Sequence, residues 1–147
     1  MVGGMDIVTP RDQQFPEQAV AAMARLGALA QSDPALSGAR AHSILRLVPG
    51  RRAIIAGQFN GQPAVFRLSL HPEETAGFST LWQELLRAQP IMADGDAQIA
   101  PPLAIAATHE VIVMGHAPGD PLLSHISALP SEDRIKPVIA AAAWLAR

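Results

Sequence analysis

Asn60-Gly61 is the strongest single constraint on how this chain folds. Both residues accept the positive φ that a two-residue hairpin turn demands, and they lie between two apolar-rich segments, residues 52–58 and 63–70. Those segments are therefore expected to pair antiparallel. Upstream, residues 43–48 alternate well enough for a strand and are cut off from 52–58 by Pro49-Gly50, a strong turn signal. Three antiparallel strands thus occupy residues 43–70.

Helical periodicity brackets this core. Residues 16–30 hold strong helix formers with Pro16 at an early position and Val20, Met23, Leu26 and Leu29 on a loose apolar stripe; Ser32-Asp33-Pro34 ends the helix. Residues 72–88 place Phe78, Leu81, Trp82, Leu85 and Ala88 on one face. Asp94-Gly95-Asp96 reads as a surface loop, residues 103–107 as a short strand, Thr108-His109-Glu110 as a turn and residues 111–114 as a buried strand. The chain turns helical again around residues 122–126 and over 131–147, where Ser131 with Glu132 and Asp133 behind it suits a helix start. The sum is an α+β fold: a five-stranded antiparallel sheet with one crossing helix, and helices at both ends.

Composition narrows the partners. The 147 residues suffice for one domain with a core; they are 49% hydrophobic and carry a net charge of -2, with Arg scattered along the chain and Lys136 the only lysine. Nucleic acid is not an expected partner, because no basic stripe is present. Cysteine is absent, which excludes a disulfide framework and thiolate metal sites, and the five His lack metal-ligand spacing. Neither a signal peptide nor an apolar run of membrane-spanning length is visible, so the expected location is cytoplasmic, without a membrane partner.

A more specific signal follows the last strand: Val111-Ile112-Val113-Met114-Gly115-His116-Ala117-Pro118-Gly119-Asp120-Pro121-Leu122. This segment resembles the hinge of the aminoglycoside phosphotransferase and choline kinase superfamily, of protein-kinase-like fold, where an apolar strand ending in Met runs into an acid-aromatic pair, then Pro-Gly, then the first helix of the large lobe. Met114, Pro118, Gly119 and Leu122 match; Gly115 and His116 stand where the family has the acid and the aromatic. The order of strands and helix is also that of a kinase small lobe. The resemblance covers residues 43–147 and implies three parts: a helical N-terminal extension over 1–40, a nucleotide-side small lobe over 41–117, and the hinge exit with the first large-lobe helices over 118–147.

What the resemblance implies for the site is specific. ATP, with magnesium in the full-length form, would be the cofactor, its adenine held beside Met114 by the Gly115 carbonyl and the Ala117 amide. Arg67, in Val65-Phe66-Arg67-Leu68-Ser69, takes the third-strand place where kinases have a phosphate-holding Lys, as in many small-molecule members of the superfamily, and Glu84 takes that of the helix carboxylate paired with it. These two are expected to face one another within salt-bridge reach. The loop Leu47-Val48-Pro49-Gly50-Arg51-Arg52 has no GxGxxG pattern; Arg51 and Arg52 either touch phosphate or form a solvated turn.

The implied function is the ATP-binding lobe of a kinase that phosphorylates a hydroxyl on a small molecule whose identity this part of the chain does not reveal. The catalytic His-x-Asp segment and the magnesium-binding Asp do not occur: His125 is followed by Ile126-Ser127-Ala128. The chain by itself is expected to show no phosphotransferase turnover. The alternatives are a degenerate kinase-like lobe that serves as a non-catalytic binding or dimerisation module, and an unrelated α+β dimerisation domain. A separated lobe would expose apolar surface, which favours a homodimer.

Overall fold

A computed structural model of the chain describes residues 15–91, 100–116 and 127–145. Its contacts divide the chain into two units, Met1–His116 and Ala117–Arg147. The first unit runs α1 (Pro16–Ser32), a 3-10 turn (Pro34–Leu36), β1 (Ala39–Val48), β2 (Arg52–Phe59), β3 (Gln62–Ser69), α2 (Pro72–Ile91), β4 (Pro102–Ile105) and β5 (Val111–Gly115). The strands form one sheet in the order β1-β2-β3-β5-β4, every neighbouring pair antiparallel. The fold is the α+β arrangement expected from the sequence, with its helix between the third and fourth strands.

The hairpin has the local cause read above. Phe59 pairs with Gln62, and the two residues between them, Asn60 and Gly61, have φ of 52° and 81°, the left-handed pair that matches the twist of the strands. The Asn60 amide donates to the Gly38 carbonyl at 3.0 Å, which brings the start of β1 alongside and lets that strand pair with β2 from Ala39 onward, four residues before the expected start. Within the helical extension expected over residues 1–40, α1 packs into the core. Within α1, Ala22, Leu26 and Leu29 are buried, and with Leu36 they join the core formed by Leu47, Ile55, Phe66, Leu68, Val111 and Val113. Val20 is 69% exposed, because it sits well round the helix from the stripe through Ala22, Leu26 and Leu29.

Period-2 alternation in β3 separates the two faces of the sheet. Ala64, Phe66 and Leu68 point into the core with α1, and Arg67 points the other way, its guanidinium carbon 5.7 Å from the centre of the Phe78 ring of α2. The two helices therefore lie on opposite faces. Phe78 is buried and Leu81, Trp82, Leu85 and Ala88 half-buried, in keeping with the apolar face read for α2, which packs on β3, β4 and β5.

The turn between β4 and β5 is tied to the end of α1 by polar contacts. Asp33 follows the helix in extended conformation, as a residue before proline should, and its two carboxylate oxygens accept from the amides of Ala35 at 2.9 Å and Ala107 at 2.8 Å. Arg25 bonds both carboxylate oxygens of Glu110, at 3.2 and 2.9 Å. Since Ala107 gives its amide to Asp33, β4 ends at Ile105 and not at residue 107.

In the second unit a 3-10 turn (Ser131–Asp133) precedes α3 (Ile135–Leu145). Ser131 does not cap: Pro130 holds the capping position, without a side-chain bond. The expected loop at Asp94-Gly95-Asp96 and the helix over 122–126 lie outside the described residues, and among those described no helix is long and apolar enough to cross a membrane.

The Asp33 clamp is open to test by urea denaturation. Asp33→Ala should cost about 1–2 kcal/mol, the range for a lost cap with a second charge-assisted bond, and Asp33→Asn less, since one acceptor remains. A change near zero in both would show that the clamp contributes nothing.

Candidate functional site

The face of the sheet away from α1 carries the chemistry. Cross-strand register sets Arg46 opposite Ile54, Ile54 opposite Arg67, Arg67 opposite Ile112 and Ile112 opposite Ile105, one row across all five strands. In the adjoining row Ala56, Val65, Met114 and Pro102 stand side by side. On the other flank Arg52 pairs with Ser69. A row that carries Arg46 and Arg67 thus runs beside an apolar one. Arg67 and Met114, both singled out in the sequence, share this face one row apart.

Arg67 is half-buried, and its Nε is buried without a hydrogen-bond partner. Among the described residues it forms no salt bridge. Burial is the main cause that pushes its pKa below the usual arginine value; the positive charge of Arg52 adds to this, Glu74 opposes it, and Arg46 lowers it further. The contact with the face of Phe78 offsets part of the desolvation, by about 0.5–2 kcal/mol. Such a group favours a nearby anion, whose negative charge would offset the repulsion of the neighbouring guanidinia.

The carboxylate that acts on this cluster is Glu74, not Glu84. Glu84 is bonded at 2.9 Å to Arg87 three residues on, both side chains well exposed, so the expected pair with Arg67 is not formed. Helix geometry is the reason. Glu74 and Phe78 are four residues apart and share the sheet-facing side of α2, whereas Glu84 lies about a third of a turn away from Phe78. The start of α2 is set by its own polar junction: the Glu73 amide donates to His71 Nδ1 at 3.1 Å, and the buried Ser69 hydroxyl bonds the Thr75 hydroxyl at 2.7 Å and donates to the His71 carbonyl at 2.9 Å. Glu74 is thereby held against Arg51 and Arg52, with one of its oxygens 3.2 Å from each, and Glu73 meets Arg51 at 3.2 Å. Hydrogen bonding to Glu73 is the largest cause that raises the Arg51 pKa.

The expected hinge is partly described. Gly115 ends β5, with its amide donating to the Pro101 carbonyl at 2.8 Å, and the His116 amide donates to the Pro63 carbonyl at 3.2 Å. A Cβ on Gly115 would come within 2.7 Å of the Pro101 ring, so a larger residue there would require that ring to shift. Ala117 lies outside the described residues. Arg46 and Glu74 were not placed at the site by sequence reasoning, whereas Arg51-Arg52 was read as either a phosphate contact or a solvated turn. A signal for Glu74 was present, the Glu73-Glu74 pair in the first turn of α2. Among the described residues no group of three His, Asp or Glu could hold a metal ion.

A partly desolvated, unpaired charge should not stabilise a fold. Arg67→Met is predicted to leave the thermal midpoint unchanged or to raise it, whereas Phe66→Ala, one residue away on the core face, should cost about 3–5 kcal/mol. A loss of more than about 1 kcal/mol in Arg67→Met, half of the limit for one desolvated cation-ring contact, would mark Arg67 as structural.

No protein-family model and no curated protein matches the chain, so the reading of this face rests on its residues and their geometry.

Proposed function

We propose that the first unit is the ATP-binding lobe of a small-molecule phosphotransferase of aminoglycoside or choline kinase type. The observation that carries the reading is Arg67. It is a third-strand guanidinium with an unpartnered Nε, on the face it shares with Val65 and Met114, in a five-stranded antiparallel sheet whose helix follows the third strand. In this reading Val65 and Met114 offer the apolar surface for adenine, the main chain at Gly115 takes its polar edge, and Arg67 binds the phosphates. Charge neutralisation and positioning are what phosphoryl transfer asks of the protein. Magnesium, when bound with the nucleotide, would share that neutralisation. In the full-length form the reaction would be transfer of the γ-phosphate to a hydroxyl of a small molecule, in the cytoplasm, where ATP is supplied.

The helix carboxylate differs from the one the resemblance implies, since Glu74 takes the place expected of Glu84. It bonds Arg51 and Arg52 and acts on Arg67 through charge alone. That observation favours a second reading, a kinase-like lobe kept as a non-catalytic binding or dimerisation module. In the second unit, Ile135, Val138 and Ile139 on α3 are 62%, 46% and 59% exposed, apolar surface that suits association.

Calorimetric titration of the chain with ATP, ADP and adenosine decides between these. ATP and ADP should bind, adenosine more weakly, and Arg67→Ala should weaken ATP binding by about tenfold or more, the loss of one charge-assisted contact, while thermal stability holds. Absence of ATP binding, or equal binding by the Arg67→Ala variant, would overturn the nucleotide reading and leave the binding module.

A further inference from the structure

Kinase-like folds lay a loop of glycines over the phosphates, and the corresponding turn here is built differently. The connection between β1 and β2 closes on itself: the Arg51 amide donates to the Val48 carbonyl at 3.0 Å with Gly50 at φ 70°, and the Arg51 carbonyl accepts from the Leu70 amide at 2.8 Å. A Pro-Gly turn this short, with both main-chain groups of Arg51 spent inside the fold, has no flap of amides to lay over an anion. Positive charge is supplied by side chains.

Arg46 lies two strands from Arg67 in the same cross-strand row, at roughly 10 Å by the usual strand spacing, and Arg52 is diagonal to Arg67 across the β2–β3 pair. Four guanidinia, those of Arg46, Arg51, Arg52 and Arg67, stand against the two carboxylates Glu73 and Glu74. Both acids are engaged by Arg51 and Arg52, and Arg46, like Arg67, forms no salt bridge among the described residues. The excess charge is concentrated where the strand row meets the turn. Arg52 and Arg46 both disfavour the charged form of Arg67, a repulsion that an anion between them would convert to attraction.

We propose that Arg46 and Arg52 complete, with Arg67, a side-chain cradle for a polyphosphate, which takes over the grip that a glycine loop exerts through main-chain amides. That the polyphosphate belongs to a nucleotide rests on the reading above; the cradle itself requires only the phosphate chain. Its grip is bidentate guanidinium to phosphate oxygen, which suits di- and triphosphates better than a single phosphate.

The test titrates inorganic tripolyphosphate, phosphate and ATP, each separately, into the full chain and into Arg46→Gln, Arg52→Gln and Arg87→Gln. Tripolyphosphate should bind far more tightly than phosphate. Arg46→Gln and Arg52→Gln should each weaken tripolyphosphate and ATP by about tenfold, the loss of one charge-assisted contact, and Arg87→Gln, which removes a charge bonded to Glu84, by less than about twofold. Should Arg52→Gln fold poorly through loss of its Glu74 contact, the exposed Arg46 carries the test. Wild-type affinity for tripolyphosphate in Arg46→Gln and in any folded Arg52→Gln overturns the cradle. ATP binding that depends on Arg67 alone also overturns it and leaves the nucleotide reading standing. If tripolyphosphate binds as tightly as ATP, and both need Arg46 and Arg52, the cradle stands and the nucleotide reading falls. Binding of neither removes both.

Discussion

The structure depends on the burial of one face of β3. Ala64, Phe66 and Leu68 are withdrawn from water beneath α1, and Phe66 is the largest fully buried side chain among the described residues. A fully buried side chain of that kind contributes about 1.5–3 kcal/mol, so the register of the central strand cannot slip by one residue without exposing all three. The same register sends Arg67 to the opposite face. The position of the charge is a consequence of the packing of its neighbours.

That coupling lets the sheet separate stability from binding. On the α1 side the apolar side chains form the buried core, and the polar clamps of Asp33 and Arg25 hold the helix to the β4–β5 turn. On the α2 side the cover is partial: Phe78 is buried, while Met114, Val65 and Ile54 stay half-buried and Arg67 keeps an unbonded nitrogen. An interior that tolerated an unpaired cation on both sides would be hard to stabilise. Here one side is fully apolar and the other keeps the unmet hydrogen-bonding capacity that recognition requires.

Much of the fold was legible in the sequence because its signals are local. Asn60-Gly61 and Pro49-Gly50 each place residues whose backbone preferences demand a turn, and both turns are present; the apolar face of α2 is recorded in its spacing. Of the candidate site, Arg67 and Met114 were singled out in the sequence, and the register sets them on one face. Glu84 was placed by the resemblance, at the position of the helix carboxylate, and such a match says nothing about which way a helix is rotated on the sheet. Burial of Phe78 sets that rotation, and it brings Glu74 to the arginines and leaves Glu84 to pair with Arg87.

The β1 strand shows where sequence information ends. Strict alternation would set Ile44 and Arg46 on the same face, yet Ile44 and Leu47 are both buried and Arg46 faces the opposite way, because the ladder to β2 skips a residue between Ile44 and Arg46. A second irregularity lies between Ala41 and Ser43. The sequence by itself determined the turns, the apolar faces of β3 and α2 and so the α+β class, since these follow from preferences of adjacent residues. Only the tertiary structure decided which arginines share a face, that α1 belongs to the core, and which glutamate meets the cluster. These depend on bulges, helix rotation and long-range pairing, which are settled by packing against partners distant in the chain.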